Sequence, residues 1–247
     1  MSYYYDHEVR LTGVDSDGRG ICKASALLNH LQVAATLAAE KGGFGREVLM
    51  ERYGGFWMLA RSWYRLTRPL RWEDEITIRT WHRGGKGAVS YRDYDIYANG
   101  EWVGESVAGW VFANAQTHRL MRLSAIAELA TTDGGELCKT ITLNKLDCPS
   151  ELRVVEQRLM RYSDTDINGH VNNIRYADFA CDAVRMESLP EDKFLSSMQI
   201  GYLAECRTGD LITIEVGEGP DGRFVRGLDE CGKSRFEAAL FFGEVLP

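Results

Sequence analysis

Val9-Arg10-Leu11-Thr12-Gly13-Val14-Asp15-Ser16-Asp17 returns, loosely, as Leu159-Met160-Arg161-Tyr162-Ser163-Asp164-Thr165-Asp166, with Asp15 and Asp17 standing where Asp164 and Asp166 stand in the later copy. Each stretch reads as a strand that ends in an acidic turn, and the segment after each turn repeats as well. Ala24 to Lys41 sets Leu27, Leu28, Leu31, Ala35 and Ala38 on one helical face and stops at Gly42-Gly43. Asn172 to about Ser188 sets Ile174, Ala177, Cys181 and Val184 at helical spacing, and Pro190 ends it.

Strands come after each helix. Trp57 to Leu66, Glu75 to Trp81, Val89 to Tyr97 and Glu101 to Phe112 make the first set, with Asn99-Gly100 as a hairpin turn. Ser197 to Cys206, Leu211 to Val216, Arg223 to Leu228 and Ser234 to Glu244 echo it, and Asp74-Glu75-Ile76-Thr77-Ile78 lies over Asp210-Leu211-Ile212-Thr213-Ile214. A long helix and then a run of antiparallel strands, given twice, predicts an α+β fold in which each copy wraps a sheet around a central helix and the two sheets join edge to edge: a double hotdog. Residues 1–132 form the first unit and 151–247 the second, with 133–150, which has no clear period and holds Asp133-Gly134-Gly135 and Cys148-Pro149, crossing the surface as connector.

Composition narrows the function class. A chain that is 45% hydrophobic and 26% charged can bury a proper core. The start, Met-Ser-Tyr-Tyr-Tyr-Asp-His-Glu, is not of signal-peptide type, and no apolar run is long enough to span a bilayer, which points to the cytoplasm. Six scattered cysteines without a C-x-x-C pair suggest reduced thiols rather than a zinc knuckle or a disulfide framework. A formal net charge of -7 argues against general nucleic-acid binding.

The chemistry concentrates in Tyr162-Ser163-Asp164-Thr165-Asp166-Ile167-Asn168-Gly169-His170-Val171-Asn172-Asn173, which packs two carboxylates, a histidine and three carboxamides into a turn before a helix. This segment, D-x-D-x-N-x-H-V-N-N-x-x-Y ending at Tyr176, resembles the motif of acyl-acyl carrier protein thioesterases, the plastid and bacterial enzymes that end fatty acid synthesis. The likeness extends to Asn29-His30-Leu31-Gln32, Trp57 to Trp81, Trp110-Val111-Phe112 and Arg119-Leu120-Met121-Arg122. Tyr202-Leu203-Ala204-Glu205-Cys206 is similar to the family's L-E-Y-R-R-E-C, with Leu203 and Ala204 in place of two arginines and Glu205 at the catalytic glutamate. Plastid members carry a targeting peptide, so the resemblance implies the bacterial branch. It also implies hydrolysis of fatty acyl-acyl carrier protein, an acidic partner presenting the acyl group on phosphopantetheine, with Asp166, Asn168, His170 and Glu205 as catalytic residues.

Physical chemistry gives these residues roles. Thioester hydrolysis needs a water activated by a base, and donors aimed at the oxygen that becomes negative. Glu205 can be the base, Asn168 and His170 can donate N–H groups, and Asp166 can accept a hydrogen bond and hold its neighbours. Backbone N–H groups at the start of the next helix add to the anion-stabilising field. Water activation ranks first. Direct attack by Glu205 or Asp166 to give an anhydride stays open, as does Cys206 as a nucleophile beside His170; Cys206 ranks last because strand alternation would point it away from the face that Glu205 uses. In the first copy His170 falls on Ile21, Asn168 on Arg19 and Glu205 on Pro69, so that copy lacks the set.

Plainer readings hold for the other candidates. Asp164 caps the turn, Asn172 and Asn173 start the helix, and Tyr176 packs. A metal at Asp164, Asp166 and His170 lacks a further ligand, and neither metal nor cofactor is expected. Arg83-Gly84-Gly85-Lys86-Gly87 lacks the spacing of a phosphate loop and reads as a hairpin. Arg61, Arg65, Arg68, Arg71, Arg119 and Arg122 are candidates for docking the carrier, and apolar residues of the first helix and of Trp57 to Leu66 for setting chain length. A non-catalytic acyl-thioester binding module and an acyl-coenzyme A thioesterase are the competing functions, and a monomer and a homodimer are both compatible with the duplication.

Overall fold

In the computed structural model, which describes residues 4–126, 143–219 and 222–245, the two acidic stretches come directly after strands β1 (Tyr5–Arg10) and β7 (Arg153–Leu159). Three of their hydrogen bonds repeat at equivalent positions. The N–H of Thr12 donates to Asp15 Oδ2 and that of Arg161 to Asp164 Oδ2, both at 2.8 Å. The N–H of Arg19 donates to Asp17 Oδ1 and that of Asn168 to Asp166 Oδ1, again both at 2.8 Å. Asp17 N–H reaches the Ile21 carbonyl at 2.8 Å and Asp166 N–H the His170 carbonyl at 2.9 Å. Gly20 and Gly169, each with φ of 72°, supply the left-handed residue that closes the loop. An aspartate that captures the N–H two residues on makes an Asx turn, so the likeness between the copies records a shared backbone requirement.

Helix α1 spans Ala24–Lys41, as its apolar spacing predicts, and buries Leu27, Leu28, Leu31, Ala35 and Ala38. Soon after it comes a helix that the pattern does not announce, α2 (Arg46–Tyr53), framed by Gly45 and by Gly54 with φ of 62°. Only Leu49 of α2 is buried, so it has no apolar stripe to read. Helix α3 is Asn173–Ala183, shorter than the expected run to Ser188, because Arg185 adopts φ of 59° and breaks the ladder before a 3-10 turn at Met186–Ser188. Asn172 caps it, accepting from the N–H of Ile174 at 3.1 Å.

The remaining strands are β2 (Gly55–Leu66), β3 (Glu75–Lys86), β4 (Val89–Ala98), β5 (Glu101–Asn114), β6 (Leu120–Met121), β8 (Lys193–Tyr202), β9 (Leu211–Glu218), β10 (Arg223–Leu228) and β11 (Ser234–Glu244). Asn99 and Gly100, with φ of 53° and 84°, make the tight β4–β5 turn. Arg83 to Gly87 runs through the end of β3 into the next hairpin, where Arg83 is spent on an ion pair with fully buried Asp93 at 3.2 Å. The strands form one antiparallel sheet in the order β1-β3-β4-β5-β2-β8-β11-β10-β9-β7, with the short β6 beside β5. The second half of that order mirrors the first. At the junction β2 pairs with β8, and Trp63 faces Gln199. These two positions are equivalent in the repeats, at the same separation as Asp74 and Asp210 (199 − 63 = 210 − 74), so a pseudo-twofold axis passes between them.

Inside the sheet α1 and α3 pack on each other, and a continuous apolar core joins Leu27, Leu31 and Ala34 of α1 to Tyr176, Ala177 and Phe179 of α3. Outside it, Leu143 packs on Trp63 and Val107 while its carbonyl accepts from Arg61 at 3.0 Å. Residues 143–150 of the expected connector therefore lie across the back of the sheet without regular structure, and 133–142 fall outside the described residues. Among the described residues no helix is long and apolar enough to cross a membrane, and the five described cysteines are free thiols.

If Asp17 serves the backbone alone, Asp17→Ala will remove two captured N–H groups and lower stability by about 1–2 kcal/mol, a fall in Tm of roughly 3–8 °C. Thermal unfolding monitored by circular dichroism checks it; an unchanged Tm would contradict the turn's structural role.

Candidate active site

Tyr202 is the last residue of β8, so Glu205 and Cys206 lie beyond the strand, not within it as the sequence predicts. Both the Leu203 and Ala204 N–H groups donate to the Arg235 carbonyl, at 2.9 and 3.1 Å, and this turns the chain out of the ladder. Arg235 Nη1 then holds the Glu205 carbonyl at 2.8 Å, and Val171 N–H holds that of Cys206 at 2.8 Å. Strand alternation therefore cannot be the cause that separates the two side chains. They separate nonetheless: Glu205 lines a cavity, while Cys206 is fully buried in the core.

That cavity has a volume of about 870 Å³. Asp166, Asn168, His170 and Glu205 all border it, at an end where Asn172 and Asn173 open α3. Beyond them its wall comes from the first repeat, with Ala35 of α1, Leu49 of α2, Trp57 and Leu59 of β2 and Trp110 of β5. Leu59 sits where a register shift in β2 against β5 re-aims the strand.

His170 Nε2 lies 3.1 Å from Glu205 Oε2 and 3.2 Å from Arg207 Nη2. One ring nitrogen can donate to the carboxylate or accept from the guanidinium, but not both, so the carboxylate and the arginine favour opposite tautomers. Asn168 is held at both ends of its amide. Its Oδ1 accepts from Arg46 Nη1 at 2.8 Å and its Nδ2 donates to Asp166 Oδ2 at 3.4 Å. Asp164 is occupied by structure, as expected: it is buried, caps its turn and receives Arg175 at 3.2 Å.

Burial raises the Cys206 thiol above its ordinary value, which leaves little thiolate for attack. Burial likewise pushes the Tyr202 hydroxyl up to about 12, and its oxygen lies 3.3 Å from Ser62 Oγ. Tyr176 is buried in the core and touches the rings of Phe179, Tyr202 and Phe236. His30, from the first helix, faces Asp15 at 3.5 Å, and burial pushes it below the ordinary histidine range.

The arginines singled out for carrier docking do not border the cavity among its described lining residues. Arg65 pairs with Glu105 at 2.9 Å, Arg68 with Asp74 at 3.4 Å, and Arg61 with the Leu143 carbonyl. Arg46 and Arg92 border the cavity, while Arg207 contacts His170 and Arg235 the Glu205 carbonyl, and the motif includes none of the four. Arg207 stands immediately beyond Glu205-Cys206, whereas Arg46 carries no local signal.

The pseudo-twofold axis gives the first repeat an equivalent cleft of about 210 Å³, bordered by Asp17, Arg19, Ile21, Pro69 and Leu70 and by Asp178 and Cys181 of α3. Arg19 reaches across it, donating from Nη1 to the carbonyls of Pro190 at 3.2 Å and Lys193 at 3.1 Å.

Comparison with known proteins agrees with this architecture. An acyl-ACP thioesterase of Bacteroides thetaiotaomicron, known from its crystal structure, superposes with a TM-score of 0.86 over 97% of this chain and 98% of its own at 22% identity. The fold is a double hotdog. Residues 2–128 match the acyl-ACP thioesterase N-terminal domain and residues 150–230 the acyl-ACP thioesterase C-terminal domain, so the chain belongs to the acyl-ACP thioesterase family. It is 24% identical over 200 residues to the chloroplastic oleoyl-acyl carrier protein thioesterase 2 of Arabidopsis thaliana, an alignment covering 74% of this chain and 52% of that protein. It is 28% identical over 200 residues to the chloroplastic dodecanoyl-[acyl-carrier-protein] hydrolase of Cinnamomum camphora, covering 73% and 50%. The chain thus spans about half the length of these curated relatives.

The Cys206 thiol is buried in the core and does not border the cavity that Glu205 lines. Cys206→Ala should keep thioester hydrolysis within about threefold of the unaltered chain, whereas removing a nucleophile would cost several powers of ten. A near-complete loss in a variant that remains folded by circular dichroism would reinstate the thiol.

Proposed function

We propose that this chain hydrolyses fatty acyl-acyl carrier protein thioesters, releasing free fatty acid and the carrier with its phosphopantetheine thiol. The observation that carries the reading is a cavity of about 870 Å³ bordered by Glu205, His170 and Asn168 and, from the first repeat, by apolar Ala35, Leu49, Trp57, Leu59 and Trp110 as well as polar His82, Ser90 and Arg92. Pockets of roughly 300–1,000 Å³ suit ligands of this size. A thioester carbonyl fits beside Glu205, His170 and Asn168 with its hydrocarbon tail in the first repeat. In this reading residues 1–132 supply the acyl pocket, 151–247 the catalytic set, and 133–150 the link between them.

The chemistry runs as a water attack. Glu205 takes a proton from water as the new C–O bond forms, and the carbonyl electron pair moves to oxygen. Asn168 Nδ2–H and the helix α3 N-terminus face that developing negative charge. His170, 3.1 Å from Glu205, orients the carboxylate and can relay the proton that Glu205 took from water to sulfur as the oxyanion re-forms the carbonyl and the C–S bond breaks. Asp166 fixes the loop that presents Asn168 and His170, as Asp17 fixes its counterpart. The cation at Arg207, beside His170, suits an acidic carrier approaching the mouth better than the arginines of β2.

Steady-state hydrolysis of palmitoyl-carrier protein and palmitoyl-coenzyme A tests the reading. Glu205→Gln and His170→Ala should each lose about 10²–10⁴ in kcat while staying folded, and the carrier substrate should be preferred. Acyl binding without any hydrolysis by the unaltered chain would leave a binding module instead, and a preference for the coenzyme would move the substrate class.

Chain length should answer to the first repeat. Ala35 of α1 is buried and borders the cavity, so Ala35→Phe should raise the ratio of dodecanoyl to palmitoyl turnover by about tenfold, given roughly 1–3 kcal/mol per misfitted methylene. An unchanged ratio would place the tail elsewhere.

A further inference from the structure

The catalytic turn receives one side chain from the opposite repeat that no motif includes. Arg46 opens α2, and its Nη1 donates to Asn168 Oδ1 at 2.8 Å. An asparagine amide can be reversed end for end at almost no steric cost, so its partners decide whether it offers a donor or an acceptor. Arginine only donates and therefore claims the oxygen. Ionised Asp166 only accepts and takes one N–H, at the long distance of 3.4 Å. The two partners together leave the second N–H of Nδ2 for the cavity that Asn168 borders. With Arg46 gone, a single long contact would be all that opposes reversal, and the reversed amide would present an oxygen where negative charge develops.

The duplicated turn supplies a second argument. Arg19 stands in the place of Asn168 and also crosses to the opposite repeat, to the carbonyls of Pro190 in the connection between α3 and β8 and of Lys193 at the start of β8. This position of the turn therefore meets the helix-to-strand connection of the other copy in both repeats. In the first the guanidinium belongs to the turn; in the second it belongs to the connection, and the turn is free to carry an amide.

We propose that Arg46 is a positioning residue for thioester hydrolysis: it holds the Asn168 amide with Nδ2 toward the reacting carbonyl oxygen. Because α2 also borders the cavity through Leu49 and Met50, the same helix joins the acyl wall to the catalytic turn. The inference rests on the hydrolysis proposed above, and its test separates the two.

Arg46→Met, Arg46→Lys, Asn168→Ala and the double variant Arg46→Met with Asn168→Ala are compared on palmitoyl-carrier protein, resolving kcat from KM. Arg46→Met should lose about tenfold to a hundredfold in kcat with KM within about threefold, and Arg46→Lys should recover part of that loss. In the Asn168→Ala background the same change should alter kcat by less than about twofold, since the group it positions is absent. An equal loss in both backgrounds, a loss confined to KM, or no loss would overturn the proposal. The Asn168 side-chain NH₂ resonances, assigned by their disappearance in Asn168→Ala, give a readout that needs no turnover: they should shift or broaden in Arg46→Met, and unchanged signals would overturn the orientation. If the unaltered chain hydrolyses nothing, the functional reading fails while these resonances still decide the orientation.

Discussion

The pairing of β2 with β8 is the contact on which the rest of the molecule depends. Each repeat alone would present a long open edge there, a row of unpaired backbone groups that invites association with other chains. Joining them satisfies both edges and fixes the surroundings at either end of the seam. Because the strands are antiparallel about the pseudo-twofold axis between Trp63 and Gln199, the start of β2 lies beside the segment after β8, and the end of β2 beside the segment before it. The large cavity forms at the first of these places and the small cleft at the second. The seam ends with Arg61 opposite Gly201, and Leu59 and Leu203, two residues beyond on either strand's path, both border the cavity that Glu205 lines.

The two ends share a backbone and differ in side chains. Both turns use an aspartate to capture the same N–H group, the same left-handed glycine, and the same bond to the segment after the central strand, Cys22 N–H to the Leu70 carbonyl and Val171 N–H to the Cys206 carbonyl, each at 2.8 Å. The scaffold thus exists twice, with His170, Asn168 and Glu205 on one copy where the other has Ile21, Arg19 and Pro69. Asp17 makes the same backbone hydrogen bond in the copy without that set.

Much of this architecture is legible in the chain because it is written in local patterns. Helix α1 and strands β10 and β11 fall where spacing and turn residues put them, since apolar periodicity, the glycine pair after Lys41 and the acidic turns are short-range signals. Where sequence and structure part, the cause is a tertiary choice. Arg185 enters a left-handed conformation that nothing about arginine announces, which shortens α3. Strand β8 ends early because two N–H groups turn to the Arg235 carbonyl. Helix α2 buries one side chain and shows no stripe. The site's motif is contiguous and so is visible, whereas Arg46 meets Asn168 across 122 positions, a distance that no periodicity spans.

Duplication within one chain also releases a constraint that symmetry imposes on paired copies. In a homodimer of single repeats every substitution appears at both clefts, so a residue that closes one closes the other. Here Arg19 can bridge its cleft, pinned to two carbonyls of the opposite repeat, without touching the larger cavity. Its guanidinium serves there as a cross-brace between the repeats. Asymmetry of this kind lets the wall of one repeat drift in shape while the turn of the other stays as it is, so that the two can be changed by separate mutations.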